Sequence, residues 1–362
     1  MEVACIMTGF RAWARAGMAA EATRKHRSRS ILPLLSLLFG TSLPITASDI
    51  FRLPTANQAI YEAGHEDKFF VPTPGKTWIS GTFGCVRTEG WQLHEGLDIK
   101  CLQRDRHNEP TDSVMATADG TVAYVNTQPS LSNYGNYIIL RHQIDGMEIC
   151  SLYAHLREVR PGLASGHSVK AGEIIATMGR TSNTKQKIGI DRAHVHFELD
   201  FVMNERYAAW HKSAIPGERN DHGDWNGKNL VGIDPRAVLI AQHNALHFSL
   251  RQLLTSQTEL CRILVRQTNF SWLRRYPMLV RPNPLAEKEG VAAYELALTF
   301  NGIPFQLTPR AASEVKTKDR FHLLSVNQRE HQDNPCGRLV TNQRGRWQLT
   351  SHGIELLQLL TY

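Results

Sequence analysis

Between Trp78 and about Leu239 the chain reads as short apolar runs broken by Gly, Asn and Asp. Thr121–Val125, Tyr137–Arg141, Glu148–Tyr153, Glu173–Met178 and His194–Phe201 are examples. Alternating or short continuous apolar runs bounded by turn residues predict strands. With few helical stripes among them, residues 78–240 are expected to form a mainly β domain, an antiparallel sheet or β-sandwich. Residues 49–77 lead into it irregularly, because Pro54, Pro72 and Pro74 block long elements. Phe201–Leu230 is a long insertion before Ile233-Asp234-Pro235. The character then changes. Leu246, Leu250, Leu253, Leu254, Cys261, Leu264 and Val265 predict helix. Arg338–Thr341 and Arg346–Thr350 predict two strands about a tight turn, and Ser351–Leu360 a closing helix. Residues 241–362 are therefore expected to be a smaller, separable α+β domain with a winged-helix-like ending and no evident ligand cluster of its own.

The first 48 residues stand apart. Arg24, Lys25, Arg27 and Arg29 precede an apolar stretch, Ile31–Phe39, then small residues up to Ser48. Basic, apolar, then small is the layout of a secretory signal, with translation starting at Met1 or Met18. The stretch is short for a bilayer span, so no stable membrane span is expected. Export, to a periplasm or the extracellular wall space, follows. The formal charge of +7 falls to +3 without residues 1–48, since 35 Lys and Arg then face 32 Asp and Glu. So small an excess makes nucleic acid an unexpected partner. Export also permits disulfides among Cys85, Cys101, Cys150, Cys261 and Cys336. Cys85 and Cys101 flank one candidate hairpin, and Cys261 and Cys336 share the C-terminal third. Those pairings would leave Cys150 as a buried thiol; the alternative is five reduced core residues.

Three clusters carry candidate chemistry. In His94-Glu95-Gly96-Leu97-Asp98 a strand would put His94, Gly96 and Asp98 on one face. In His194-Val195-His196-Phe197-Glu198 the two imidazoles and Glu198 share a face. Either both histidines bind one metal, or one binds and the other works on substrate. Glu198 either supports them or is a solvated edge charge. His155 ends the run Leu152-Tyr153-Ala154-His155, where its ring can overhang a cleft. Two His and one Asp around an open position are the composition of a catalytic zinc site. The remaining two histidines can serve a zinc-bound water and a developing oxyanion.

The order of these motifs resembles the lysostaphin/LytM-type zinc metallopeptidases, which cut peptide cross-links of bacterial peptidoglycan. Ser80-Gly81-Thr82-Phe83-Gly84 leads into His94-x-x-x-Asp98. Met115–Val122, Tyr134-Gly135-Asn136 through His142, Tyr153-Ala154-His155-Leu156 and Val169-Lys170-Ala171-Gly172 follow. His194-x-His196-Phe197-Glu198 closes the set. The resemblance implies zinc ligands His94, Asp98 and His196, catalytic residues His155 and His194, and a zinc metalloendopeptidase domain over 78–240 with a metal-binding groove. It implies peptidoglycan as partner and, as the alternative, a non-catalytic wall-binding or hydrolase-activating protein. Two departures are expected to border the groove: Thr181–Arg192, with Lys185, Lys187 and Arg192, and the insertion at 201–230. The C-terminal domain would bind wall, occlude the groove or dock a protein partner.

Overall fold

The computed structural model describes residues 50–362, which form one compact unit. The expected signal region, 1–48, lies outside the described residues. Among the described residues no helix is long and apolar enough to cross a membrane.

The strands are β1 (Gly84–Arg87), β2 (Gln92–His94), β3 (Leu97–Lys100), β4 (Ser113–Met115), β5 (Gly120–Asn126) and β6 (Asn136–Ile144). Then come β7 (Met147–Leu156), β8 (Glu158–Val159), β9 (Ser168–Val169), β10 (Ile174–Thr177), β11 (His194–Val202) and β12 (Leu230–Ile233). The main sheet runs β12-β11-β7-β6-β5-β9, and β3 pairs the first half of β11. A three-stranded sheet, β4-β10-β8, and the β1-β2 pair complete this mainly β part. Both faces of the main sheet are buried. Ile138, Leu140 and Tyr153 belong to the principal core, while Tyr137, Ile139, Cys150 and Leu152 form a second cluster under Tyr124, Tyr134 and Trp225. The 201–230 insertion thus covers a sheet face with Trp225.

The C-terminal part is α+β. Strands β13 (Cys261–Val265), β14 (Ala293–Leu298), β15 (Pro304–Arg310) and β16 (Phe321–Val326) form an antiparallel sheet in the order β15-β14-β13-β16. The hairpin of β17 (Val340–Gln343) and β18 (Arg346–Leu349) precedes the helix Ser351–Leu360, capped by Thr350 Oγ1 on the Gly353 N–H. The hairpin and helix match the sequence expectation, but the four-stranded sheet does not. Cys261, Leu264 and Val265 lie on β13, and the helix before it covers only Leu250–Thr255. A central strand buried on both faces shows an apolar run rather than alternation, and such a run is ambiguous with helix. The boundary expected after residue 240 falls within the helix Pro235–Asn244, which Asp234 caps and Pro235 starts.

The expected disulfide pairings do not form. Cys85 on β1 bonds Cys336, 251 residues away, and Cys101, Cys150 and Cys261 are free and buried. Further ties cross the same way. Asn301 Nδ2 donates to Gly232 O at 2.7 Å, Asn204 Nδ2 to Leu359 O at 2.8 Å, and Arg275 Nη1 to Val202 O at 2.6 Å. Because the loop closed by the disulfide is long, replacing Cys85 and Cys336 together by Ser should cost about 2–4 kcal/mol. Urea unfolding checks this; an unchanged midpoint would contradict it.

Candidate metal centre

His94 and Asp98 do not share one strand. His94 ends β2, paired with β1, and Asp98 lies on β3, paired with β11. Gly96 sits between them because backbone passes close: a Cβ there would lie 2.3 Å from Phe197 O. The β3–β11 register sets Asp98 directly opposite His196. Neighbouring strands present such a pair on one face. His155 arrives from β7, which carries an extra residue against β6 at this point. The bulge and a φ of +61° re-aim its side chain.

All five expected residues therefore meet. His94 Nε2, Asp98 Oδ1 and His196 Nδ1 lie 3.0–3.1 Å from one another. Among the described residues these three form the cluster whose donor atoms could hold a metal. His194 Nε2 stands 3.4 Å from the same Asp98 oxygen, and the His155 ring packs edge-on to His194 with centroids 4.9 Å apart. They line a cavity of about 430 Å³ together with Arg87, Tyr134 and Arg192.

Each imidazole is oriented by its second nitrogen. His94 Nδ1 faces Thr82 O at 2.7 Å, His155 Nδ1 faces Thr181 O at 2.9 Å, and His194 Nδ1 faces Arg192 O at 2.6 Å. A carbonyl only accepts, so each of these nitrogens carries the proton and donates. His94 and His155 thus turn a bare Nε2 inward. In His196 the order is reversed: Nε2 donates to Glu198 Oε1 at 2.6 Å, leaving Nδ1 toward Asp98. Glu198 is fully buried, so it is no solvated edge charge.

The electrostatics favour a cation at this point. Burial alone would raise the Asp98 carboxyl, but His94, His194 and His196 hold it well below the usual range. Burial lowers His196, yet Asp98 and Glu198 outweigh it and push the ring up to about 10. The field that favours a proton there favours a metal cation, and ligation requires that proton to leave. Burial and the neighbouring His194 and His196 keep His155 well below the ordinary imidazole value, hence neutral. Two inward imidazole nitrogens and one carboxylate oxygen fit a zinc-type site with an open position.

Sequence reasoning missed three features. Arg87 Nη2 donates to Asp98 Oδ2 at 2.5 Å and lies 3.0 Å from His94 Nε2. A metal on His94 would take the lone pair that Arg87 meets, so the two exclude each other. Asp200, beyond Glu198 on the same face, is fully buried; burial, then the Glu198 charge, drives its carboxyl well above the usual range. Asp200 therefore adds no second negative charge behind His196. The orienting carbonyls of Thr82, Thr181 and Arg192 are backbone and leave no mark in residue identities. His142, in the Tyr134–His142 motif, is structural: its ring joins Asp119 O and Ser151 Oγ. Of the two expected groove borders, 181–192 supplies Ser182, Thr184, Ile188 and Arg192 to the cavity, while the 201–230 insertion supplies no lining residue.

Residues 92–208 match the model of peptidase family M23. The chain has likenesses among solved structures. A zinc-containing peptidase of Vibrio cholerae is 25% identical over 37% of this chain and 30% of its own, with a TM-score of 0.22. The catalytic domain of lysostaphin from Staphylococcus simulans is 26% identical over 33% of this chain and 74% of its own (TM-score 0.24). A putative glycyl-glycine endopeptidase LytM from Ruminococcus gnavus is 26% identical over 30% and 39% (TM-score 0.24). The chain thus spans about a third of the Vibrio protein, and at these TM-scores the likenesses carry no argument. No curated protein matches the chain.

Metal content of purified variants, with chelator competition, checks the donor set. Asp98→Ala should lose tight zinc binding, and Glu198→Gln should weaken it about 10- to 100-fold. Full zinc retention by Asp98→Ala would overturn the assignment.

Proposed function

We propose that the chain is an exported zinc metalloendopeptidase that hydrolyses peptide cross-links of bacterial peptidoglycan. The observation that carries this reading is the inward convergence of five residues: His94, Asp98 and His196 as metal ligands, His155 and His194 as the catalytic pair. The match of residues 92–208 to the model of peptidase family M23 supports it. The basic-apolar-small layout of residues 1–48 supports export.

Zinc held there supplies Lewis acidity, acidifying water and polarising a carbonyl. The chain's own residues do the rest. His155 is neutral, its Nδ1–H is given to Thr181 O, and its Nε2 is free to take the proton of the attacking water. His194 Nδ1 is tied to Arg192 O, and its Nε2 stands in the cavity 3.4 Å from Asp98 Oδ1. From there His194 is placed to stabilise the developing oxyanion. His155 then returns its proton to the leaving amine. The ends of the reaction are a new carboxylate and a new amine within the peptide.

Digestion of cross-linked peptidoglycan, with mass analysis of the fragments, tests the reading. The expected product is a newly exposed amine in a stem or bridge peptide, abolished by chelator. His155→Ala and His194→Ala should each keep most zinc and lose roughly 100-fold or more in turnover. Cut glycan strands alone would contradict the peptidase assignment. Wall binding without any cleavage would favour the non-catalytic alternative.

A further inference from the structure

We propose that Arg192 is a specificity residue that binds a carboxylate of the substrate peptide, so that the site prefers carboxylate-bearing peptides to neutral ones. The inference deepens the peptidase reading and rests on it.

Arg192 closes the turn Ile190–Arg192, two residues before His194, and lines the cavity that holds the metal donors. Its placement is fixed from several sides. Arg104 Nη1 donates to Ile190 O at 2.7 Å, and Arg180 Nη1 to Ile188 O at 3.3 Å. Arg192 O itself accepts from His194 Nδ1. The guanidinium is half-buried and held by one edge only, where Nε donates to Pro72 O at 2.9 Å. Among the described residues, no acceptor meets its two terminal amino groups and no carboxylate lies within ion-pair distance of it.

The other arginine of the cavity is different. Arg87 already delivers its charge to Asp98. One cavity arginine is neutralised by the protein, and the other is not. Burial works against the Arg192 charge, and Asp98 and Asp191 offset that only in part. A half-buried guanidinium without an ion-pair partner gains most from an anion brought by a ligand. With Nε engaged, the free end presents Nη1 and Nη2 side by side, the fork that meets a carboxylate in bidentate fashion. Lys185 and Lys187, exposed on the same 181–192 segment, add positive potential along this wall. The carboxylate can belong to a side chain of the peptide or to its C-terminus; the chemistry recognised is the same.

The test uses the zinc-loaded full chain and three peptides of one cross-linked sequence. One has free carboxylates, one has amidated side-chain carboxylates, and one has an amidated C-terminus. For the wild type, kcat/KM should fall about 10- to 100-fold for one of the amidated peptides, and that peptide identifies the source of the carboxylate. Arg192→Gln should bring that ratio to within about twofold. Binding to the slowed His155→Ala protein, measured before turnover sets in, should show the same discrimination in Kd, again lost when Arg192→Gln is added. If the wild type cleaves none of the peptides, the peptidase reading fails and the Kd ratio alone decides on Arg192. The proposal is overturned if amidation leaves both ratios within about twofold, if Arg192→Gln keeps the discrimination, or if no peptide binds.

Discussion

A carboxylate removed from water governs this site. Asp98 is buried at the junction of β3 and β11, where an unpaired charge would be costly. It persists because three imidazoles and the Arg87 guanidinium surround it. The same arrangement fixes where everything else must stand. His196 is opposite it in the ladder, His94 reaches it from a separate hairpin, and His194 touches the same oxygen. A site assembled around one buried anion is thereby a site prepared for a cation.

The surrounding fold acts through orientation. Four imidazoles have their outer nitrogens tied to a carbonyl or a carboxylate, so tautomers and ring planes are set before any ligand arrives. Rigid strands carry these rings, and a bulge with a left-handed residue aims the one that comes from β7. The hairpin bearing His94 stands outside the main sheet, and its other strand, β1, is covalently joined to Cys336. The C-terminal part therefore reaches within a few residues of a metal donor through that bond.

Much of this was legible in the sequence, for identifiable reasons. Strands β5, β6, β7, β10 and β11 were visible because apolar runs and turn residues mark them directly. The five candidate residues could be picked out because His and Asp gather in three short motifs, although His94 and Asp98 lie on two strands and not on the single strand expected. What stayed hidden depends on tertiary placement. Arg87 sits on no ligand-like spacing, yet it meets Asp98 across a hairpin. Glu198 could be read as exposed or buried until the insertion at 201–230 and the neighbouring strands closed over its face. The Cys85–Cys336 pair spans 251 residues, a distance over which spacing says nothing. Strand β13 is buried on both faces, and this removed the alternation that would have distinguished it from helix.

The position of a bound metal decides the donor set most directly. Crystals of the zinc-loaded chain, measured at the zinc absorption edge, locate it by anomalous scattering. The expected peak lies about 2.0–2.2 Å from His94 Nε2, Asp98 Oδ1 and His196 Nδ1. His155 Nε2 and His194 Nε2 should remain unligated, and Arg87 should be withdrawn from His94. A peak bonded to His194 in place of His196, or no peak among these side chains, would contradict it.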